Sequence, residues 1–294
     1  MARTTIRTSC RWSDPLTVHV VTDSTSDLAP DEALRLGVRV VPLQLRFGEE
    51  SFRDGVDIDA ATFYRRLPDA DPMPVTSQPS PNDFAEVYRA LLASPDDRVL
   101  SIHISSKWSG TLQSASLAAQ EFGDRVRCID SLTISAGMQF LVRGALADAA
   151  AGADLETCAT RAEERRGRVS VWVMLDTLTY LQRGGRIGRA QALLGGVLHV
   201  KPVLRLTDGE AQPQARVRNA RQGVDRLLEL VAAEGPLEAA ATMWSEGAEL
   251  ARLAHERLAS AHPGVACSDG VLGPVVGVYA GPRAIGVACM RAPS

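Results

Sequence analysis

The chain has 294 residues and a net charge of -3, with 45% apolar, 23% charged and 5% aromatic residues. This composition excludes disorder for most of the chain and leaves enough apolar surface for a core that needs no disulfide or metal. The 32 Lys and Arg residues are offset by 35 Asp and Glu residues without a concentrated basic stripe, so we expect no nucleic-acid binding.

Taken in chain order, the first half alternates short apolar runs with helical segments. Strands are predicted over four runs, Thr17–Thr22, Arg39–Phe47, Arg98–Ile104 and Arg125–Asp130. Helices are predicted over Pro30–Leu36, from Ile58-Asp59 through Tyr64, over Asn82–Leu92 with Asn82 as N-cap, after Thr111, and over about Ser135–Ala151. The prolines that bound Met73–Ser80 predict a loop. Such alternation predicts a parallel sheet with helices on both faces.

The second half mixes hairpins with helices. Helices are predicted over about Asp154–Gly167, Gln222–Glu234 and Glu246–Ala261. Strands are predicted over Val169–Leu175, Val200–Thr207, Ala211–Arg218, Leu237–Trp244 and Val265–Val271. The Asp208-Gly209 pair between two of these strands is a hairpin signal, and it indicates antiparallel pairing.

We therefore predict an α/β protein built from two α/β domains. The first covers residues 17–165, with a mostly parallel sheet flanked by helices, and the second covers residues 166–294, with a mixed sheet and helices. Residues 1–16 contain no apolar segment of the secretory-signal kind, and they are predicted to be a flexible tail.

The common catalytic motifs are missing from the sequence. It contains no phosphate-binding G-x-x-x-x-G-K-[ST] or G-x-G-x-x-G, no H-E-x-x-H and no G-x-S-x-G. Five widely spaced cysteines without C-x-x-C predict neither a disulfide framework nor a zinc site, and the five histidines, including His199, are expected to be ordinary residues. We predict no catalytic residue, no metal, no membrane insertion and a cytoplasmic location.

Small hydroxyl-bearing loops follow the predicted strands. These loops are Asp23–Asp27, Thr76–Ser80 and Ser105–Thr111. Ligands of open α/β sheets bind beyond the carboxyl ends of the strands, where Ser and Thr hydroxyls suit a carboxylate or a phosphate. The alternative is that these residues only cap helices and shape turns.

The identity and order of the loops resemble the DegV family of bacterial fatty-acid-binding proteins. The resemblance rests on the run from Val20 to Leu28, on Thr76–Ser80 and on Ile104–Thr111. Tyr180-Leu181 with Gly184-Gly185-Arg186-Ile187, and Gly281-Pro282, extend it over nearly the whole chain.

The resemblance implies that a long-chain fatty acid such as palmitate lies between the two domains. Its carboxylate is then held by Thr76 and Ser109, with the Gly110 N–H as a further donor. Supporting candidates are Ser77, Asp23, Ser24, Arg186 and Tyr279; capping is the alternative role of Asp23 and Ser24, and a solvated surface role is the alternative for Arg186. The family resemblance further implies a carrier without chemistry of its own, which presents the acid to a separate kinase subunit in lipid transport or fatty-acid metabolism.

One loop departs from the family pattern. Many members carry G-x-H-x-G-P-G, whereas this sequence has Tyr279 in place of the His and Arg283 in place of the last Gly. A Tyr hydroxyl still donates a hydrogen bond. The other functional class that the residues allow is an enzyme that acts on a small anionic substrate through a hydroxyl-lined phosphate site.

Overall fold

Three β-sheets and their covering helices make up residues 17–193 and 200–293, the part of the chain that the computed structural model describes. The predicted tail over residues 1–16 and His199 lie outside the described residues. The strands are β1 (Val18–Asp23), β2 (Arg39–Val41), β3 (Gln44–Phe47), β4 (Glu50–Arg53), β5 (Val75–Ser77), β6 (Arg98–His103), β7 (Val126–Asp130), β8 (Val169–Met174), β9 (Lys201–Thr207), β10 (Glu210–Val217), β11 (Leu237–Trp244), β12 (Ala266–Val271) and β13 (Ile285–Arg291). The helices are α1 (Pro30–Leu36), α2 (Ala60–Arg66), α3 (Pro81–Leu91), α4 (Thr111–Ala119), α5 (Ala136–Ala150), α6 (Leu155–Arg166), α7 (Thr179–Arg183), α8 (Ala220–Ala232), α9 (Ala248–Ala261) and α10 (Pro274–Ala280).

The first sheet is parallel, with strand order β2-β1-β6-β7. Successive residues of a strand point to opposite faces, and both faces of this sheet are covered. Val20 packs with α5 and α6 on one face, while Val21 packs with α3 and α4 on the other. Adjacent residues of a strand in this sheet can therefore both be apolar, as Val20 and Val21 are in β1.

The second sheet is mixed, with strand order β10-β9-β8-β13-β11-β12. Its one parallel pair is β11 with β12, and the other neighbours are antiparallel. Helices α8 and α9 cover one face, and parts of α5, α7 and α10 face the other. These two sheets confirm the predicted α/β class. A domain boundary near residue 165 stays a prediction; α6 packs on the first sheet and β8 belongs to the second.

The prediction of one strand over Arg39–Phe47 is wrong. β2 pairs with β1 in the parallel sheet, whereas β3 belongs to a separate antiparallel sheet of order β4-β3-β5. Pro42 lies between them, and a proline cannot supply the N–H that a continuous ladder requires. The prediction of Met73–Ser80 as loop is also wrong in part, because Val75–Ser77 forms β5 and pairs with β3.

The N-cap predicted for one helix is wrong, and another helix was missed. Helix α3 is capped by Ser80 and not by Asn82: the Ser80 hydroxyl and the Asp83 carboxylate form a reciprocal capping box, and Pro81 stands at the first position. The missed helix is α10. Its proline start follows Gly273, and its buried Val residues resemble a strand in sequence.

Candidate ligand-binding site

A largely apolar cavity lies on the inner face of the six-stranded sheet; its empty space is about 670 Å³ when the solvent at its mouth is included. Strands β8, β9, β11 and β13 form its floor, with side chains such as Val171, Leu204 and Met243. Leu181 of α7 and Val276 of α10 lie among the lining residues from the covering helices. Its lining is almost entirely apolar, as is typical of sites that bind the hydrocarbon part of a ligand.

A second pocket of about 320 Å³ adjoins the apolar cavity and is polar on one side. Four residues line both spaces: Trp108, Ile134, Val276 and Tyr279. The smaller pocket adds the polar side chains of Thr25, Thr76, Ser109 and Arg186. Together the two spaces suit an amphipathic ligand with an apolar chain and a small polar head.

The loop after β1 and the loop after β6 supply two of these polar side chains. Thr25 follows β1 and Ser109 follows β6, and these two strands are parallel neighbours. Their carboxyl ends therefore meet at one edge of the sheet, as in other open α/β sheets with ligands. Thr76 arrives from β5 in the small antiparallel sheet. Thr25 and Ser109, which are 84 positions apart in the chain, therefore line the same pocket as Thr76.

Thr76 and Tyr279 touch directly. Their hydroxyl oxygens lie 2.5 Å apart, within hydrogen-bond distance. Two hydroxyls that bond to each other use one proton between them, which leaves the second proton to donate to a ligand. The pair therefore offers one free donor at the junction of the polar pocket and the apolar cavity.

Ser109 can offer its own proton to a ligand. Its Oγ accepts the Thr111 N–H at 3.3 Å and lies 2.8 Å from Thr111 Oγ1, where either hydroxyl can be the donor. When Thr111 donates, the Ser109 O–H is available to a ligand. Gly110 is the N-cap of α4, and a Cβ there would lie 2.3 Å from Gln78 Oε1. A side chain at position 110 would therefore displace Gln78.

Arg186 brings positive charge to the pocket. Its guanidinium carbon lies 5.0 Å from the centre of the Tyr279 ring, and its Nε donates to the Trp108 carbonyl at 3.2 Å. A second nitrogen, Nη1, donates to the Gly184 carbonyl at 2.9 Å. Guanidinium has five N–H donors, so several remain for an anion.

Asp23 and Ser24 lie behind the pocket lining and organise it. Asp23 is fully buried; its carboxylate accepts the Thr25 N–H at 3.0 Å and the Thr25 hydroxyl, and its other oxygen contacts His103 Nδ1 at 3.0 Å. Ser24 Oγ accepts the Leu43 N–H at 3.0 Å. Asp23 therefore caps the turn that follows β1, whereas Ser24 joins that turn to the segment before β3 and does not cap it. Ser77 is exposed on β5 and is not among the residues that line either space.

Arg283 lies outside both spaces. Its φ of 58° is left-handed, a conformation that Gly adopts without strain. Its guanidinium pairs with Asp176, which also pairs with Lys201. The ion pair with Asp176 thus fixes the Arg283 side chain at a position where the family pattern has Gly.

Two buried carboxylates lie beneath the start of α10. Asp27 Oδ1 accepts the Gly273 N–H at 2.9 Å, and an added Cβ at Gly273 would lie 3.7 Å from Asp54 Oδ1. Burial, the largest cause in each case, raises the pKa of Asp27 well above its usual value and the pKa of Asp54 to about 7. The helix that carries Tyr279 thus begins over a pair of acids that burial drives toward the neutral form.

Sequence reasoning missed most of the apolar lining. Leu204, Met243 and Gly286 come from three strands of the second half, and their residue types are those of any sheet core. The sequence carried one signal of this lining, since Gly286 and Ala288 alternate with larger residues in β13.

Among residues 17–193 and 200–293, no group of three or more His, Cys, Asp or Glu side chains could hold a metal ion. Within the same residues, no helix has the length and apolarity to cross a membrane.

Comparison with known proteins gives a family match over residues 17–292, to uncharacterised proteins of the DegV family. A DegV domain-containing protein of Deinococcus radiodurans is 37% identical over 277 residues, which cover 93% of this chain and 98% of that protein. A fatty acid-binding DegV family protein from Thermus thermophilus has a TM-score of 0.88 at 38% identity, covering 94% of this chain and 100% of that one. A stearic acid-binding protein from Eubacterium ventriosum has a TM-score of 0.85 at 26% identity, covering 93% and 98%.

Proposed function

The chain belongs to the DegV family, and we propose that it binds a long-chain fatty acid, with the acyl chain in the apolar cavity and the carboxylate in the adjoining polar pocket. The observation that carries the proposal is the junction of the two spaces at Trp108, Ile134, Val276 and Tyr279. Because an amphipathic ligand needs both environments in contact, this junction supports a fatty acid over a small polar substrate.

Burial of the acyl chain supplies most of the affinity in this proposal. A palmitoyl chain has about 14 methylenes, and burial of each contributes about 0.8 kcal/mol before the losses of ordering are subtracted. Solved DegV relatives from two genera bind fatty acids, one of them stearic acid. These relatives support the ligand class, and we propose palmitate or an acid of similar length for this chain.

The carboxylate is proposed to accept from the hydroxyls of Ser109 and Thr76, and Tyr279 is proposed to donate its own hydroxyl proton to Thr76. Arg186 adds positive charge from the side of the pocket. Hydrogen bonds to a charged group are stronger than neutral ones, and they leave donors unsatisfied when a neutral lipid binds. The Gly110 N–H, beside Ser109, is a further candidate donor.

We also propose that the protein is a non-catalytic, cytoplasmic carrier that presents the carboxylate to a separate kinase subunit. This part rests on the family resemblance and on the absence of a phosphate-binding motif from the sequence. Lipid transport or fatty-acid metabolism is the role that such a carrier would serve.

Mass spectrometry of an organic extract of the purified protein tests the proposal. We expect about one long-chain fatty acid per protein molecule, and delipidated protein should rebind palmitate or stearate in calorimetric titration. A delipidated protein that binds neither acid, or that hydrolyses ATP after rigorous purification, would contradict the carrier and favour an enzyme.

A further inference from the structure

Two small residues of β13, Gly286 and Ala288, form part of the floor of the apolar cavity. Gly286 pairs with Val173 of β8 on one side and with Met243 of β11 on the other, and all three residues line the cavity. Two positions on, Ala288 pairs with Val171 and Ala241. Gly286 thus lies between two larger neighbours, and Ala288, the next residue of β13 on the same face, lies between Val171 and another alanine.

The backbone gives no reason for glycine at position 286. Its φ is not left-handed, and an added Cβ would meet its nearest neighbour, the Trp172 carbonyl oxygen, at 3.4 Å, the short end of ordinary contact. Glycine weakens a strand interior because it packs nothing and loses more chain entropy on folding. A glycine that neither the backbone nor the packing requires marks a place where another molecule approaches the strand.

We propose that Gly286, with Ala288 beside it, is a specificity-determining residue that sets the length of acyl chain the cavity accepts. The inference rests on the proposed function, since it concerns the chain of the bound fatty acid. A side chain at position 286 would point from β13 into the cavity and occupy the space that the methylenes need. Each methylene that can no longer be buried lowers the affinity by a factor of about four.

Titration of delipidated protein with laurate, myristate, palmitate and stearate tests the proposal. Valine at position 286 adds three carbons, so Gly286→Val should lower the affinity ratio of stearate over myristate by about 10- to 60-fold relative to wild type. Gly286→Ala adds one carbon and should lower the same ratio by about fourfold. Ala288→Val should act in the same direction.

Cys289→Val is the matched control. Cys289 lies on the same strand but packs on the opposite face, against α8 and α9, so this variant should keep the wild-type length preference. Thermal melts identify variants that fail to fold; the Gly286→Ala variant, whose Cβ the structure accommodates, then carries the test. A folded position-286 series with the wild-type ratio, or with an equal loss for all four acids, would overturn the proposal. Wild-type protein that binds none of the acids would instead contradict the proposed function.

Discussion

The hydroxyl oxygens of Thr76 and Tyr279 lie 2.5 Å apart, although 203 positions separate the two residues in the chain. Thr76 belongs to the small antiparallel sheet of the first half, and Tyr279 belongs to helix α10 near the end of the chain. Both residues line the polar pocket and Tyr279 also lines the apolar cavity, so the one free hydroxyl proton of the pair lies where the two spaces meet. A residue that departs from the family pattern thus becomes part of the proposed carboxylate site.

Removal of the Tyr279 hydroxyl should weaken fatty-acid binding modestly. In Tyr279→Phe, Thr76 loses a neutral hydrogen-bond partner but keeps its proton for the ligand, so affinity should fall by about 2- to 10-fold. Tyr279→His, which restores a donor, should recover part of the loss. Calorimetric titration with palmitate measures both variants. A Tyr279→Phe protein with wild-type affinity would show that the Thr76 contact does not order the site.

Removal of bound lipid should lower the melting temperature. A ligand that binds only the folded state stabilises it by RT ln(1 + [L]/Kd), about 2.7 kcal/mol at a hundredfold excess over Kd. Differential scanning calorimetry of the protein as purified, after delipidation, and after palmitate is added back should show a fall and a recovery. Equal melting temperatures in all three samples would contradict occupancy of the cavity.

The pKa of Asp54, raised to about 7 by burial, predicts a pH-dependent stability. The folded state holds the Asp54 proton more tightly than the unfolded chain, so this carboxyl favours the folded state below pH 4, and its contribution is lost as pH rises toward 7. The Asp54→Asn variant has no carboxyl at this position, so its folding stability does not fall in this way as pH rises. Its stability relative to wild type should therefore increase by about 2–4 kcal/mol between pH 4 and pH 8.

Urea unfolding of both proteins across that range provides the measurement, and Asp57→Asn is the control. Asp57 lies in the same loop, but its hydrogen bonds to Arg53 lower its pKa to about 2. Its stabilising effect is complete above the usual Asp pKa and is lost only in stronger acid. The Asp57→Asn difference should stay constant from pH 5 to pH 8. A constant Asp54→Asn difference over the same range would refute the raised pKa.

Arg186 should contribute through charge. Arg186→Gln should weaken palmitate binding by about 2- to 10-fold at low salt, because an exposed cation beside a partly exposed anion acts through a screened interaction. The difference from wild type should shrink as salt is added, and titrations at two ionic strengths measure it. A loss that does not change with salt would assign Arg186 a structural role through its bonds to Trp108 and Gly184.

Local signals in the sequence predicted the parts of the fold that local chemistry determines. The helix Pro30–Leu36 has the predicted bounds because a proline starts it and Gly37 ends it in the left-handed conformation. The alternation of strands and helices in the first half indicated a parallel sheet with helices on both faces, and the first sheet has that arrangement. By contrast, nothing local shows that β2 and β3, on either side of Pro42, join different sheets, because strand partners come from distant parts of the chain.

The same limit applies to the site. The candidate hydroxyls could be picked out from the sequence because Thr76 and Ser109 stand in short segments rich in Ser and Thr, although Thr76 lies in β5 and not in the predicted loop. The Thr76–Tyr279 contact could not, since it depends on how α10 packs against the first half. The cavity floor could not be predicted either, because the small size of Gly286 matters only beside Val173 and Met243, which lie on neighbouring strands.

The central claim is that hydroxyls of Thr76 and Ser109 hold the carboxylate of a fatty acid, and calorimetric titration of palmitate against its methyl ester tests it most directly. Each hydrogen bond to a charged group contributes about 1.5–3 kcal/mol, so Thr76→Val and Ser109→Ala should each weaken palmitate binding by about 10- to 150-fold. The double variant should lose less than the sum, because both hydroxyls bind one group. The ester should bind weakly to wild type and to all three variants alike. Variants whose free energy of unfolding falls by about 1 kcal/mol but whose affinity for palmitate is that of wild type would contradict the claim and leave both hydroxyls only a capping role.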